Sequence, residues 1–258
     1  MAEQNCYTLP DYTRFYDWSY GNFTHDIPFY LEFLKHCGTS VLEVTCGTGR
    51  LSIPLLENGF EVTGIDSSPH MLEILKNKIA SLATPAKDRF FLYEADMRDF
   101  DLKKEFHSVI VPNAALFHLF KSCDVSSCFS SIFAHTRNGG MVIVDLVSPH
   151  FMVGQETGKE VVICKGLNQF SGLITAELNE KLLIDKGKQM VKVRHTFIEQ
   201  ADDGEKRFEF HQNYRWLEKE EGLRLLKEEG FKDLKIFGDY DSSEFTPASR
   251  RLIFVGRK

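Results

Sequence analysis

VLEVTCGTGRLSIPLLENGFEVTGID, residues 41 to 66, decides the fold. Val41 to Val44 is a short apolar, β-branched run, and Cys46-Gly47-Thr48-Gly49 is a turn. Arg50 to Asn58 puts Leu51, Leu55 and Leu56 at helical spacing, with Gly59 as the stop; Phe60 to Ile65 is a second apolar run closed by Asp66. The spacing predicts a strand, a Gly-rich turn, a helix, a second strand and an acid, the opening unit of a nucleotide-binding α/β sheet.

Each part has a physical role. Glycines at 47 and 49 permit positive φ and close approach of a ligand to the backbone. The helix that follows directs free N–H groups and a positive dipole end at the turn. Pro54 falls early enough in it that its missing N–H costs little. Asp66 ends the second strand where an acid accepts both hydroxyls of a ribose; the plainer reading makes it a cap for the next helix. A dinucleotide-binding protein uses the same unit, but its G-x-G-x-x-G fingerprint would put the third glycine at Ser52. Glu43 separates the two more sharply. A carboxylate beside the turn repels a pyrophosphate and tolerates a ligand carrying ammonium and sulfonium charges. The pattern therefore favours S-adenosylmethionine, which has both cations with a ribose and an adenine.

Composition bounds the rest. The 258 residues suffice for one α/β domain with an insertion, and 43% hydrophobic with 26% charged residues is ordinary for a globular chain. A net charge of −6 argues against a nucleic-acid partner held by phosphate contacts. Six cysteines (Cys6, Cys37, Cys46, Cys123, Cys128 and Cys164) form no C-x-x-C pair, so reduced thiols and no metal site are expected. With no basic-then-apolar leader and no membrane-length apolar run, a cytoplasmic protein is expected.

Outward from the central unit, residues 1 to 24 are dense in aromatics that must cover apolar surface. Asp26 to Cys37 reads as a helix capped by Asp26, and Ser68-Pro69 opens another with a Met71, Leu72, Leu75, Ile79, Leu82 stripe. Arg89 to Tyr93, Phe106 to Val111 and Met141 to Val147 read as strands, and Leu116 to Ala134 as a helix. Residues 151 to 215 switch to polar–apolar alternation with turns at Asp185-Lys186-Gly187 and Asp202-Asp203-Gly204, predicting three or four antiparallel strands. Glu218 to Glu229 returns to a helix stopped by Gly230, and Phe231 to Gly238 pairs with Arg251 to Gly256 as an antiparallel hairpin at the sheet edge. The fold class is α/β: a Rossmann-like, seven-stranded, mostly parallel sheet with a reversed last strand, and an antiparallel β insertion between the fifth strand and the last helix. Residues 1–150 and 216–258 are expected to form the core with an N-terminal lid, and 151–215 the insertion, as an acceptor lid or homodimer surface.

With VLEVTCGTGR, GIDSSPHML, EADMRDF, VPNAALFHL, GGMVIVDL and the final RLIFVGRK in order, the chain resembles class I S-adenosylmethionine-dependent methyltransferases over nearly its whole length. The insertion and Tyr16-Asp17 resemble small-molecule members, among them sugar N,N-dimethyltransferases and glycine or sarcosine N-methyltransferases. One departure is Thr45, where that family more often has Gly or Ala. The resemblance implies that S-adenosylmethionine binds, leaving as S-adenosylhomocysteine. It implies Glu43, Gly47 and Gly49 at the amino-acid end, Asp66 at the ribose, Ser67 and Met71 beside the adenine, and Asp96 and the Met97 N–H on its edge. The Asn113 carbonyl would meet the cofactor ammonium, and Tyr16 and Tyr20 would close over the methyl donor.

His118 lies after the fourth strand, where a neutral imidazole takes a proton from an acceptor or serves as a satisfied core histidine. Phe117, Tyr214 and Arg215 are candidate acceptor contacts, with a surface ion pair the plainer reading of Arg215. His195 and His211 read as structural, and Arg250 and Arg251 as charges blunting an edge strand. The expected function is methyl transfer to a small acceptor, amine nitrogen before hydroxyl oxygen, by in-line displacement. The alternatives are an RNA or protein methyltransferase, an NAD-dependent oxidoreductase, and a non-catalytic S-adenosylmethionine-binding protein.

Overall fold

The computed structural model describes residues 6–155, 157–168, 173–201 and 204–258. In chain order, α1 (Pro10–Tyr20) and α2 (Ile27–Leu34) precede β1 (Ser40–Val44), α3 (Ser52–Glu57), β2 (Glu61–Asp66) and α4 (Pro69–Ala80). The short α5 (Thr84–Lys87) leads to β3 (Phe90–Glu94) and β4 (Phe106–Val111), then α6 (Ser122–His135), β5 (Thr136–Val147) and α7 (Pro149–Val153). The insertion supplies β6 (Glu160–Asn168), β7 (Leu173–Asp185), β8 (Met190–Ala201) and β9 (Gly204–Arg215). The chain closes with α8 (Lys219–Glu229), β10 (Lys232–Phe237) and β11 (Arg251–Arg257). These elements fall into two compact units: a larger one of 25–152 and 216–258, and a smaller one of 1–24 and 153–215.

The larger unit is built on a seven-stranded sheet of order β10-β11-β5-β4-β1-β2-β3. Strands β3, β2, β1, β4 and β5 are mutually parallel, and β11 runs against both of its neighbours. The expected parallel sheet with a reversed last strand is therefore present. Its central strands are mostly apolar because helices cover both faces, and Val41, Leu42 and Val44 of β1 have no exposed surface, with Glu43 and Asp145 among the buried exceptions. Sequence order reverses between β1 and β4, so the crevice at their carboxyl ends is the topological switch point, where this sheet class binds its ligands.

Three local expectations are corrected. Asp26 stands at the N-cap of α2, which ends at Leu34 rather than Cys37, but its side chain accepts no capping N–H; its carboxylate instead takes the Arg50 guanidinium with two bonds of 2.7 Å. A buried pair of that geometry outcompetes a single backbone N–H. Leu116 to Ala134 is not one helix but a 3-10 turn over Ala115–His118 and then α6. Leu116, Phe117 and Leu119 are all buried, and one helix would turn one of them outward. Arg251 blunts no edge, since β11 lies between β5 and β10.

The smaller unit holds the four-stranded antiparallel sheet β6-β7-β8-β9. Its β8 alternates in part: Val191, Val193, His195, Phe197 and Glu199 are buried and Lys192 and Gln200 exposed, but Thr196 on the other face is buried as well. The aromatic N-terminal segment covers that face. Phe15 of α1 stacks on Phe197 with centroids 4.3 Å apart, and Tyr12 meets Phe210 edge-on at 5.2 Å. Arg14 lies over Phe15 and Phe208 and bonds Glu199 at 3.1 Å. In the predicted turn Asp202-Asp203-Gly204, Asp202 and Asp203 lie outside the described residues.

Candidate cofactor and active site

The turn after β1 is the centre of the site. Thr45 opens it at φ 66°, a left-handed conformation that costs a β-branched residue roughly 1–3 kcal/mol, which is why a glycine suits this position. Gly47 also has positive φ, 53°, and a Cβ built on it would meet nothing within 4 Å, so its backbone faces open space. Gly49 is packed closely: a Cβ there would lie 2.2 Å from Leu75 Cδ1 of α4.

Two carboxyls converge on this turn. Asp66 Oδ2 accepts the Gly47 N–H at 2.9 Å and Oδ1 accepts the Ser68 N–H at 2.9 Å. Burial pushes the Asp66 carboxyl above its ordinary value, against the pull of these N–H groups. It does not cap α4; the Ser68 hydroxyl does, accepting from Met71 N–H at 3.3 Å. Glu43 is 2% exposed and accepts from the Ser52 hydroxyl. Burial raises it to about 8, offset in part by the Ser52 bond and the Arg50 charge, while Asp26 and Asp66 add to the rise. The charged acid read from the sequence is therefore a largely protonated one at pH 7. A cation placed beside it would draw the proton off; a diphosphate would hold it on.

At the end of β4, Asn113 and Ala114 take φ of 53° and 59°, two strained non-glycine residues in succession. Asp145 of β5 holds them: Oδ2 accepts the Asn113 N–H at 3.2 Å and its carbonyl accepts the Ala114 N–H at 2.8 Å. The Asp145 side chain has no exposed surface and takes four more donors. They are Arg251 Nε and Nη2 at 3.0 and 2.5 Å, Tyr240 at 2.9 Å and Tyr30 at 3.2 Å. From this turn the chain runs to buried Phe117 and half-buried His118. Burial lowers the His118 imidazole to about 4, so it is neutral and weakly basic at physiological pH.

The chain matches the model of a methyltransferase domain over residues 41–140. It is 32% identical over 217 residues to a glycine/sarcosine N-methyltransferase of Parasynechococcus marenigrum, spanning 82% of this chain and 70% of that one. The chain belongs to the class I S-adenosylmethionine-dependent methyltransferases. Solved structures share the fold: an S-adenosylmethionine-dependent methyltransferase from Clostridium acetobutylicum superposes with a TM-score of 0.80 at 18% identity, over 98% of this chain and 99% of that one. A sugar N-methyltransferase from Streptoalloteichus superposes at 0.71 and 19% identity, over 93% and 87%.

This methyltransferase uses S-adenosylmethionine as its cofactor. Of the residues singled out in the sequence, Glu43, Gly47, Asp66 and Asn113 gather at the β1 and β4 ends of the larger unit. Ser67 is exposed, Met71 is buried on α4, and Met97 is half-buried. Asp96 is partly exposed and forked by Arg98, whose side-chain hydrogen bonds keep its carboxyl below the ordinary range. Tyr16, Tyr20, Tyr214 and Arg215 belong to the smaller unit. There Tyr16 and Tyr20 lie 5.1 Å apart, Tyr214 bonds Tyr7 at 3.1 Å, and Arg215 reaches Gln189 Oε1 at 3.3 Å.

The sequence reading missed Asp26–Arg50 and the Asp145–Arg251–Tyr240–Tyr30 cluster. One signal was available. Asp145 interrupts the apolar run Met141 to Leu146, and an acid inside a buried strand needs a partner. Of the cysteines, Cys6, Cys37, Cys46, Cys123 and Cys128 are free thiols. Among the described residues no helix is long and apolar enough to cross a membrane, and no cluster of three metal-binding side chains occurs.

Proposed function

We propose that this methyltransferase acts on an amine nitrogen of a small molecule. The observation that carries the reading is the likeness, over most of both chains, to a relative named for N-methylation of glycine and sarcosine. The proposal assigns Glu43, the Gly47–Gly49 backbone and the Asn113 carbonyl to the cofactor's amino-acid end, and Asp66 to its ribose. Ser67, Met71, Asp96 and the Met97 N–H are assigned to the adenine. The open backbone at Gly47 between two carboxyls fits a ligand with an ammonium group and a diol. The cofactor supplies a methyl group on a sulfonium centre.

What the chain contributes is alignment and proton handling. A neutral amine lone pair needs little base catalysis, so holding nucleophile and methyl carbon in line accounts for most of the gain. Phe117 is proposed as an apolar wall, and His118 as a neutral acceptor of an N–H bond that orients the amine. A hydroxyl acceptor would demand a stronger base than an imidazole held near 4.

The test is an acceptor panel read by S-adenosylhomocysteine release: glycine, sarcosine and amino sugars against their hydroxyl analogues, with tRNA and a protein extract alongside. Turnover confined to amines supports the proposal. Turnover only on tRNA or protein, or only on hydroxyls, refutes it.

A further inference from the structure

The turn after β4 is fastened to β5 through one residue. Asn113 and Ala114 stand in succession at φ of 53° and 59°, the left-handed region in which a side chain is strained and alanine fares worse than asparagine. Both of their N–H groups go to Asp145 of β5, Asn113 to Oδ2 at 3.2 Å and Ala114 to the backbone carbonyl at 2.8 Å. The peptide between them is trans, so its C=O and N–H point in opposite directions. With the Ala114 N–H directed at β5, the Asn113 carbonyl points away from it, and β1 is the neighbour of β4 on that side. No backbone N–H among the described residues donates to that carbonyl.

Asp145 can hold the turn because it is itself held. Oδ1 takes both Arg251 nitrogens, and Oδ2 takes the Tyr240 and Tyr30 hydroxyls at 2.9 and 3.2 Å beside the Asn113 N–H. Burial, reinforced by the Asp145 charge, holds both phenols above their ordinary values, so each keeps its proton and donates it. These donors fill the lone-pair directions of a carboxylate, which cannot then turn. Tyr240 comes from the link between β10 and β11, its ring 5.1 Å from the Arg251 guanidinium and edge-on to Phe29 at 6.0 Å. A tie between β5 and β11 needs Arg251 alone. The two phenols, arriving from α2 and from that link, load the oxygen that meets Asn113.

We infer that Asp145, with Tyr240 and Tyr30 behind it, is the positioning residue that sets the Asn113 carbonyl for the ammonium group of the cofactor's amino-acid end. This rests on the assignment of that carbonyl under the proposed function, and goes beyond it by naming what fixes the carbonyl's direction. The three side chains act through the turn, not on the ligand. With the clamp loosened, Ala114 relaxes toward negative φ, the peptide plane turns and the carbonyl leaves its line. A role confined to stability would weaken every ligand of the larger unit alike, or none.

The test compares two ligands of the full chain by calorimetric titration. One is S-adenosylhomocysteine; the other is methylthioadenosine, which shares its adenine, ribose and thioether and lacks the amino-acid end. The wild type should prefer the first at least tenfold, a charge-assisted bond being worth about 10- to 100-fold. Asp145→Asn should lose most of that preference with the affinity for methylthioadenosine unchanged. Tyr240→Phe, a milder change that carries the test if Asp145→Asn does not fold, should lower the preference about threefold, the worth of a neutral hydrogen bond. Adding Ala114→Gly, which takes positive φ without strain, should restore the preference in either variant. A preference unchanged in the folded variants, a loss shared equally by both ligands, or one that Ala114→Gly does not restore overturns the inference and leaves the cofactor assignment standing. Equal binding of the two ligands by the wild type would refute the assignment of the amino-acid end, and the inference with it.

Discussion

Replacing Asp145 with Ala should be among the most damaging single changes in the larger unit. The carboxylate is fully buried and receives five side-chain-directed donors, two of them from an Arg251 side chain only 11% exposed. Removing it strands that guanidinium, and breaking a buried pair from one side costs about 3–5 kcal/mol. The two phenols and the Asn113 N–H lose their acceptor as well, so the upper end is expected. That is a large share of the roughly 5–15 kcal/mol that holds a domain together. The assay is urea unfolding followed by Trp216, buried in the larger unit, in a Trp18→Phe background so that one indole reports. The midpoint should fall with the slope unchanged. Arg251→Met alone should also destabilise, and the pair Asp145→Ala/Arg251→Met should recover about 2 kcal/mol relative to the sum of the single changes. A loss under about 1 kcal/mol for Asp145→Ala, or strict additivity, would refute the ion-pair reasoning.

Other outcomes follow from the same coordinates. Glu43 in the folded chain sits at about 8 against an ordinary 4.5, so the stability its proton supports is complete below about 4.5 and is lost as pH rises through 8. Glu43→Gln, which mimics the protonated form, should therefore gain in melting temperature on the wild type between pH 5 and 8.5; a constant difference would count against it. Binding of S-adenosylhomocysteine at pH 7 should release about one proton, read by calorimetry in buffers of different ionisation enthalpy, and the release should vanish in Glu43→Gln. With His118 held near 4, the rate at saturating acceptor should show no inflection near pH 6.5 from this group. A limb there that disappears in His118→Asn would restore it as a proton acceptor. Thr45→Gly should relieve left-handed strain and raise stability by about 1 kcal/mol, or roughly 2–4 °C, by calorimetric scan.

Period and punctuation carried the local architecture. β1, α3, β2 and Asp66 follow from a strand-length apolar run, two glycines and a helical leucine spacing, and α8 stops at Gly230 where a φ of 108° favours glycine. The strand order, and with it the switch point between β1 and β4, was not read from the sequence, because the order in which parallel strands pair is set by long-range contacts. Nor was charge state. Glu43 is visible as an acid beside the turn, but its proton depends on Ser52, Arg50 and the dryness around it. Long-range pairs were also hidden: Asp26 looked like a helix cap because nothing local announces Arg50, and Arg251 looked like an edge charge until β11 was seated beside β5. The smaller unit shows the same limit. Alternation located β8 and its buried face, yet the hydrogen bonds linking Tyr12, His195 and Glu180 join three separate elements.

The most direct measurement is calorimetric titration of the wild-type chain and of Asp66→Ala with S-adenosylhomocysteine, and of the wild type with NADH. The wild type should bind the sulfur nucleoside and give no heat with the dinucleotide, and Asp66→Ala should bind at least tenfold more weakly, as expected for losing a charged acceptor to the ribose. Heat with NADH and none with S-adenosylhomocysteine, or an affinity unmoved by Asp66→Ala, would contradict the assignment of the β1–β2 turn as the cofactor's cradle.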